Sequence, residues 1–233
     1  MRLDEYLYVK KHVKSRSQAN DLIKRGLVKV NEKIITKASY NVDDGIDIFL
    51  LEELYVSRGA YKLKEIIEYF KINLEEKTII DVGASTGGFT DLALKLGAKL
   101  VYAYDVGTNQ LDKSLRENPK VLSFEQTNIL DVELPKADFC LIDVSFTSIK
   151  PIISHVAKNN YRILGLIKPQ FEVGSKYLKK GIVKDQKIVN HTINNLRNYF
   201  IELDYQVVDI IAAKTLGKEG NQEYLFYLIK NRH

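Results

Sequence analysis

The sequence predicts an α/β protein in which a small α/β module precedes a larger domain built on an open, parallel sheet. Three observations carry this expectation. Short apolar runs such as Thr78–Val82 and Leu100–Tyr104 suit buried parallel strands. The first of them opens into a glycine-rich turn and then a helical stripe, the strand–turn–helix order of a parallel unit. The first 50 residues differ from the rest in both charge and element order.

Composition bounds the answer before any element is placed. The chain has 233 residues, which suits a medium domain with a small appendage. Apolar residues make up 45%, so a packed core rather than disorder is expected. The single cysteine, Cys140, excludes a disulfide scaffold. The longest apolar runs, such as Ile163–Ile167, fall far short of the roughly 20 residues of a spanning helix. Met1-Arg2-Leu3-Asp4-Glu5 is no secretory signal, and a cytoplasmic protein is expected. His12, His155, His191 and His233 show no metal-ligand spacing, so no metal site is expected.

The net charge of +5 is unevenly spread. From Val9 to Lys37, nine Lys/Arg face only Asp21 and Glu32, a local balance of +7. The following stretch, Ala38 to Glu53, has no Lys or Arg. Such a confined basic patch is the electrostatic footprint of phosphate contacts, and also of an ordinary solvated face.

Elements in the first module follow from local chemistry. Leu3 and Leu7 give a short opening helix one apolar face. Ser15-Arg16-Ser17-Gln18 is a capping box, with Ala19, Leu22 and Ile23 as the core stripe behind it. Gly26 stops that helix. Val28 and Val30 alternate as a strand, and turns at Asn31-Glu32-Lys33 and Asp43-Asp44-Gly45 lead into Ile34-Ile35 and Ile46–Phe49. Together, Arg2-Leu3-Asp4, Ser15–Ala19, Leu22-Ile23-x-x-Gly26 and Val28-x-Val30-Asn31 resemble the small RNA-binding domain named after ribosomal protein S-four. The resemblance implies binding of structured RNA by shape and phosphates. The candidate contacts are Arg2, Lys10, Lys11, Lys14, Arg16, Lys24 and Arg25, with Arg58 beyond the module.

In the second part, Ser57 reads as an N-cap and Leu63, Ile66, Ile67 and Phe70 as a buried helix stripe, directly preceded by Lys62. Thr78–Val82 then opens into Gly83-Ala84-Ser85-Thr86-Gly87-Gly88-Phe89-Thr90. The dinucleotide fingerprint G-x-G-x-x-G is absent. Asp81-x-Gly83-x-x-x-Gly87 instead resembles the loop of S-adenosylmethionine-dependent methyltransferases. There the glycines let backbone approach the methionine portion, and the acid organises the loop near its ammonium end. Leu100–Tyr104 ends at Asp105, placed to accept ribose hydroxyls, with Val106 beside it. Val121–Phe124 reads as a third strand, followed by Asn128 and Asp131 on the adenine side.

Ala137–Asp143 and Tyr161–Ile167 read as the next strands, ending at Asp143 and Lys168. Asp143-Val144-Ser145-Phe146 lacks the D/N-P-P-Y/F of enzymes that methylate exocyclic base nitrogens. Glu223 starts a last strand. Lys62, Asp143, Lys168 and Glu223 resemble the Lys-Asp-Lys-Glu tetrad of ribose 2′-O-methyltransferases. In that tetrad Lys168 either takes the hydroxyl proton, its pKa lowered by burial and by Lys62, or stays charged beside the developing alkoxide. Asp143 orients Lys168, and Glu223 positions Lys62 or the ribose.

End to end, the chain resembles the TlyA (hemolysin A) family of ribosomal RNA methyltransferases with an FtsJ-like catalytic domain. Ser57–Leu63, Asp81–Thr90, Asp105-Val106-Gly107, Lys168–Gly174 and Gly220–Tyr224 carry the match. It implies a Rossmann-like domain with a mostly parallel seven-stranded sheet whose last strand is antiparallel. It also implies S-adenosyl-L-methionine as cofactor, ribosomal RNA or a ribosomal subunit as partner, and 2′-O-methylation of cytidine in 23S and in some members 16S rRNA. Expected boundaries are 1–52 for the RNA-binding domain, 53–57 for a linker and 58–233 for the catalytic domain, acting as a monomer away from membranes. Some relatives have Arg-x-Trp-Val in the linker, where this chain has Glu53-Leu54-Tyr55-Val56. Pro169–Lys184 reads as a mobile basic loop gripping RNA at the rim of the crevice, with Lys214 and Lys218 adding to it.

Overall fold

A computed structural model describes residues 1–51, 54–217 and 219–231. Glu52 and Glu53 of the expected linker, Lys218 and His233 lie outside the described residues. The chain divides into two compact units, Met1–Tyr55 and Val56–His233.

In the first unit, α1 (Leu3–Val9) and α2 (Arg16–Lys24) precede β1 (Val28–Val30), β2 (Lys33–Ile34) and β3 (Ile48–Leu50). The strands form an antiparallel sheet in the order β2-β1-β3. Leu3, Leu7, Ala19, Leu22, Ile23 and Val28 form its buried core. The capping box is realised with one change. Ser15 Oγ accepts from Gln18 N at 3.1 Å, but Gln18 Oε1 reaches one residue further back, to Lys14 N at 2.8 Å.

The second unit is a doubly wound sheet. Its elements are α3 (Gly59–Phe70), β4 (Thr78–Val82), α4 (Gly88–Lys95), β5 (Leu100–Tyr104), α5 (Lys113–Arg116), β6 (Val121–Phe124), β7 (Phe139–Ile142), α6 (Ile149–Val156), β8 (Arg162–Ile167), α7 (Pro169–Glu172), β9 (Leu178–Lys179), β10 (Ile182–Val183), α8 (Gln186–Glu202), β11 (Tyr205–Ala212) and β12 (Tyr224–Lys230). Seven strands pair in the order β11-β12-β8-β7-β4-β5-β6. From β8 to β6 every pairing is parallel, whereas β12 runs antiparallel to both neighbours. The core lies between the sheet and helices α6 and α8, around Ile80, Cys140, Ile153, Leu196, Phe200 and Phe226.

Two local expectations change. The helix expected to be capped by Ser57 starts at Gly59, with Arg58 at the cap position and no side-chain cap bond. The segment expected to be a loop, 169–184, contains α7, a single 3₁₀ turn and the β9–β10 hairpin.

Candidate active site

The topology gathers the four expected catalytic side chains at one edge of the sheet. β7 and β8 are parallel, so Asp143 and Lys168, each just past its strand, emerge side by side. Because β12 is antiparallel, with Tyr224 opposite Ile167, its first residues reach the same edge, and Glu223 comes abreast of Lys168. Lys62 arrives from the first turn of α3.

The side chains form two ion pairs. Lys168 Nζ lies 2.6 Å from Asp143 Oδ1 and donates to Ser145 Oγ at 2.9 Å. Lys62 Nζ donates to Glu223 Oε2. The Lys62 side chain is 15% exposed and that of Glu223 only 6%. Burial, together with the nearby cations Lys168 and Arg58, lowers the pKa of Lys62 to about 8, against an opposing pull from Asp143. The expected mechanism placed the lowered pKa on Lys168; burial brings it to Lys62.

Two adjoining cavities open at this edge. One, of about 590 Å³, is lined by Gly83, Ser85, Asp105, Val106, Asn128 and Ile152, among others. The second, of about 270 Å³, is lined by Arg58, Ala84, Thr86, Gly88, Phe89 and Lys168. Gly83, Ser85, Asp143 and Ser145 line both. Asp105 organises the larger cavity: its two carboxylate oxygens accept from Ser85 N and Gly107 N, each at 2.7 Å. Each oxygen retains a lone pair for a further donor. Asn128 also lines it, while its Oδ1 accepts from Leu130 N at 3.1 Å.

Two expected cofactor residues lie elsewhere. Asp81 is fully buried and lines neither cavity. Its Oδ2 accepts from Thr90 Oγ1 at 2.6 Å, and burial pushes its pKa up to about 7. It therefore braces the loop from behind, through α4. Gly87 also lines neither cavity, because it is a packing position. Its φ is +95°, and a Cβ there would sit 2.2 Å from Leu115 Cδ1. Gly88 serves the same end: a Cβ would meet Ser57 Oγ at 2.3 Å and Ala60 N at 2.9 Å. Its bareness lets the start of α3, which carries Lys62, close onto α4.

Several residues escape a reading by motif. Phe146 is 92% exposed, has a left-handed backbone (φ +66°) and tilts against Phe171 with ring centroids 5.3 Å apart. A large exposed aromatic just beyond the strand-end acid was a legible signal. Glu125 accepts from Asn109, Gln110 and Leu111 N at 2.8–3.1 Å, pinning the loop that carries Gln110 over the larger cavity. Those hydrogen bonds hold its carboxyl below the usual range. Glu172 accepts from Ser148 Oγ and Ile149 N at 2.7 and 2.8 Å, which ties the segment after Lys168 to the loop after Asp143. These contacts join residues distant in sequence.

In the first unit, the expected RNA contacts divide into two groups. Arg2 and Arg16 both reach buried Asp4, at 2.9 Å each, and Asn20 adds a bond at 3.2 Å. The Arg2 hydrogen bond foremost, with Arg16 behind it, holds the Asp4 carboxyl down at about 2. These arginines therefore have a structural anchor as well as an exposed half. Lys10 pairs with Asp44 at 2.9 Å and Arg25 approaches Asp21 at 3.7 Å. Lys11, Lys14 and Lys24 are exposed on the same unit. Among the described residues no group of three or more His, Cys, Asp or Glu is placed to hold a metal. No helix among them is long and apolar enough to cross a membrane.

Comparison with known proteins accounts for both units. Residues 55–230 match the family model of FtsJ-like methyltransferases, and residues 1–48 match the S4 domain. Hemolysin A of Brachyspira hyodysenteriae is 39% identical, covering 98% of this chain and all of the relative. The 23S rRNA (cytidine-2′-O)-methyltransferase TlyA of Campylobacter jejuni is 34% identical, covering 99% of this chain and all of the relative. A solved Streptococcus thermophilus structure, named as a hemolysin, superposes with a TM-score of 0.76 at 37% identity, over 99% of this chain and 88% of that one. The chain belongs to the FtsJ-like methyltransferase family, in the branch of TlyA and hemolysin A that carries an S4 domain ahead of the catalytic one.

Proposed function

We propose that this protein methylates a ribose 2′-hydroxyl of a cytidine in ribosomal RNA, 23S foremost, using S-adenosyl-L-methionine, and that it works in the cytoplasm. The observation that carries the proposal is the pairing of Lys62 with Glu223 and Lys168 with Asp143 at one edge of the sheet, where two cavities adjoin.

The larger cavity fits the cofactor's adenosine. A wall carboxylate with spare acceptor capacity, Asp105, suits ribose hydroxyls, and Val106, Ile129 and Ile152 offer apolar flanks. Gly83, Ala84, Ser85, Thr86 and Gly88 lead from there toward Lys168. When bound, the cofactor supplies an electrophilic methyl group on a sulfonium.

A ribose hydroxyl is a poor nucleophile at neutral pH, so a proton acceptor must stand beside it. Two lysines face two carboxylates, and one lysine must be neutral to accept. Lys62, whose charged form burial disfavours, gives up its proton first. Lys168, fixed by Asp143 and Ser145, steadies the oxygen as negative charge develops. The oxygen bonds to the methyl carbon as the carbon–sulfur bond breaks, and the hydroxyl proton ends on the lysine pair. Phe146 offers a flat apolar face to a nucleobase at the mouth. The S4 unit supplies phosphate contacts through Lys11, Lys14 and Lys24 and the exposed halves of Arg2 and Arg16.

The test is to incubate protein, S-adenosylmethionine and ribosomal RNA, naked or in subunits, and to map 2′-O-methyl sites. One new cytidine site is expected in 23S RNA, lost in Lys168→Ala. Full activity in that variant would refute the mechanism. Deleting residues 1–52 should weaken RNA binding far more than cofactor binding.

A further inference from the structure

We propose that the β9–β10 hairpin is a second RNA-backbone contact, carried by the catalytic unit and held in register with Glu223 by Asn221. This rests on the RNA-methylating function proposed above.

The hairpin concentrates unneutralised charge. Residues 173–184 include Lys176, Lys179, Lys180 and Lys184 and no acid. All four lysines are exposed, and among the described residues none makes an ion pair. The neighbouring carboxylates are engaged elsewhere: Glu172 holds Ser148 and Ile149, and Asp185 caps α8 by accepting from Lys187 N. The first unit differs, since Arg2, Arg16 and Lys10 there already face Asp4 and Asp44.

The tip has a defined shape. Lys179 pairs with Ile182, leaving a two-residue turn of Lys180 (φ +53°) and Gly181 (φ +78°). Such turns favour Asn, Asp or Gly at the first position. A lysine there is disfavoured locally and places a cation at the apex.

Asn221 makes the hairpin part of the site. It is 3% exposed. Its Nδ2 donates to Gly181 O at 2.9 Å, and its Oδ1 accepts from Val183 N at 3.1 Å. Its carbonyl accepts from Gly217 N at 2.8 Å. Gly217 in turn lies against Glu223, since a Cβ there would fall 2.4 Å from Glu223 Oε1. A chain of direct contacts thus runs from the lysine tip through Asn221 and Gly217 to Glu223, the partner of Lys62. Lysines act as point charges toward phosphate and read no sequence. The hairpin therefore fits the backbone of the same RNA whose ribose reaches the tetrad.

The experiment compares wild type with Lys179→Gln/Lys180→Gln and with Asn221→Ala, using a ribosomal RNA transcript and S-adenosylmethionine. The double variant should bind RNA about tenfold more weakly, with a log–log salt slope shallower by about 1.4–1.8, since each lost phosphate contact removes about 0.7–0.9. Its cofactor affinity and its kcat at saturating RNA should match wild type. Asn221→Ala should keep the wild-type salt slope and lose kcat at saturating RNA. Unchanged affinity and slope in the double variant would overturn the contact. Unchanged kcat in Asn221→Ala would overturn the register. Absence of methylation by wild type would instead overturn the underlying function.

Discussion

Raising the pH from 7 to 9 should accelerate methyl transfer by an amount that Lys62 sets. Its pKa of about 8 lies well below that of an ordinary lysine, chiefly because it is buried. If the lysine pair must shed one proton before accepting another, the competent fraction is about 9% at pH 7 and about 90% at pH 9. Thus kcat/KM should rise about tenfold over that interval and then level off. A lysine at its ordinary 10.5 would give about a hundredfold rise over the same interval, with no plateau until far higher pH. The assay is single-turnover transfer of labelled methyl groups to ribosomal RNA, with RNA held saturating and ionic strength constant. The inflection belongs to the coupled cluster rather than to one nitrogen. Arg58→Met supplies a control, because Arg58 is one of the cations that lower Lys62. Removing it should move the inflection to higher pH. A flat profile, or a rate that falls between pH 7 and 9, would refute the proton-accepting role.

Three other outcomes follow from separate parts of the structure. Gly87→Ala should destabilise the protein by about 2–5 kcal/mol, from left-handed strain plus the clash with Leu115 and Leu111; a thermal melt showing less than about 0.5 kcal/mol would contradict the packing account. Asp4→Asn should destabilise the first unit by about 1–2 kcal/mol at pH 7, the shift to about 2 being discounted because both arginines are half exposed. Since the folded pKa is depressed, that difference exists above about pH 4 and should narrow as pH falls toward 2, as followed by amide hydrogen exchange across residues 1–51. Glu125→Gln should weaken cofactor binding about tenfold by calorimetry through loosening the Asn109–Leu111 backbone, with RNA affinity unchanged; equal cofactor affinity would show that the loop needs no such clamp.

Legibility in the sequence followed the range of the interaction. Strands at Thr78–Val82, Leu100–Tyr104 and Val121–Phe124 coincide with β4, β5 and β6, because each is a continuous apolar run ending at a turn. The capping box at Ser15 is local and was readable, yet Gln18 chose Lys14 N over the cap residue's own N–H. The tetrad was readable as spaced acids and lysines at strand ends, and parallel topology brings such ends together. β11 was not legible, since Asp209 and a register shift after Val207 break its pattern. The β9–β10 hairpin has only two residues per strand and no Asn-Gly signal. Asp81 and Gly87 look like ligand contacts in the motif, and only packing shows them bracing the loop. The lowered pKa fell on Lys62 because burial, which spacing does not report, differs along the edge.

The reversed direction of β12 has a consequence for how activity is lost. It is the strand that brings Glu223 to Lys62, and it is wedged between β8 and β11 rather than laid on an edge. The site is thus assembled from positions 62 to 223 and exists only while the sheet's final insertion holds. Mild denaturant that frees β12 should silence the enzyme before most helix is lost. Catalysis in this fold therefore doubles as a gauge of completed sheet assembly.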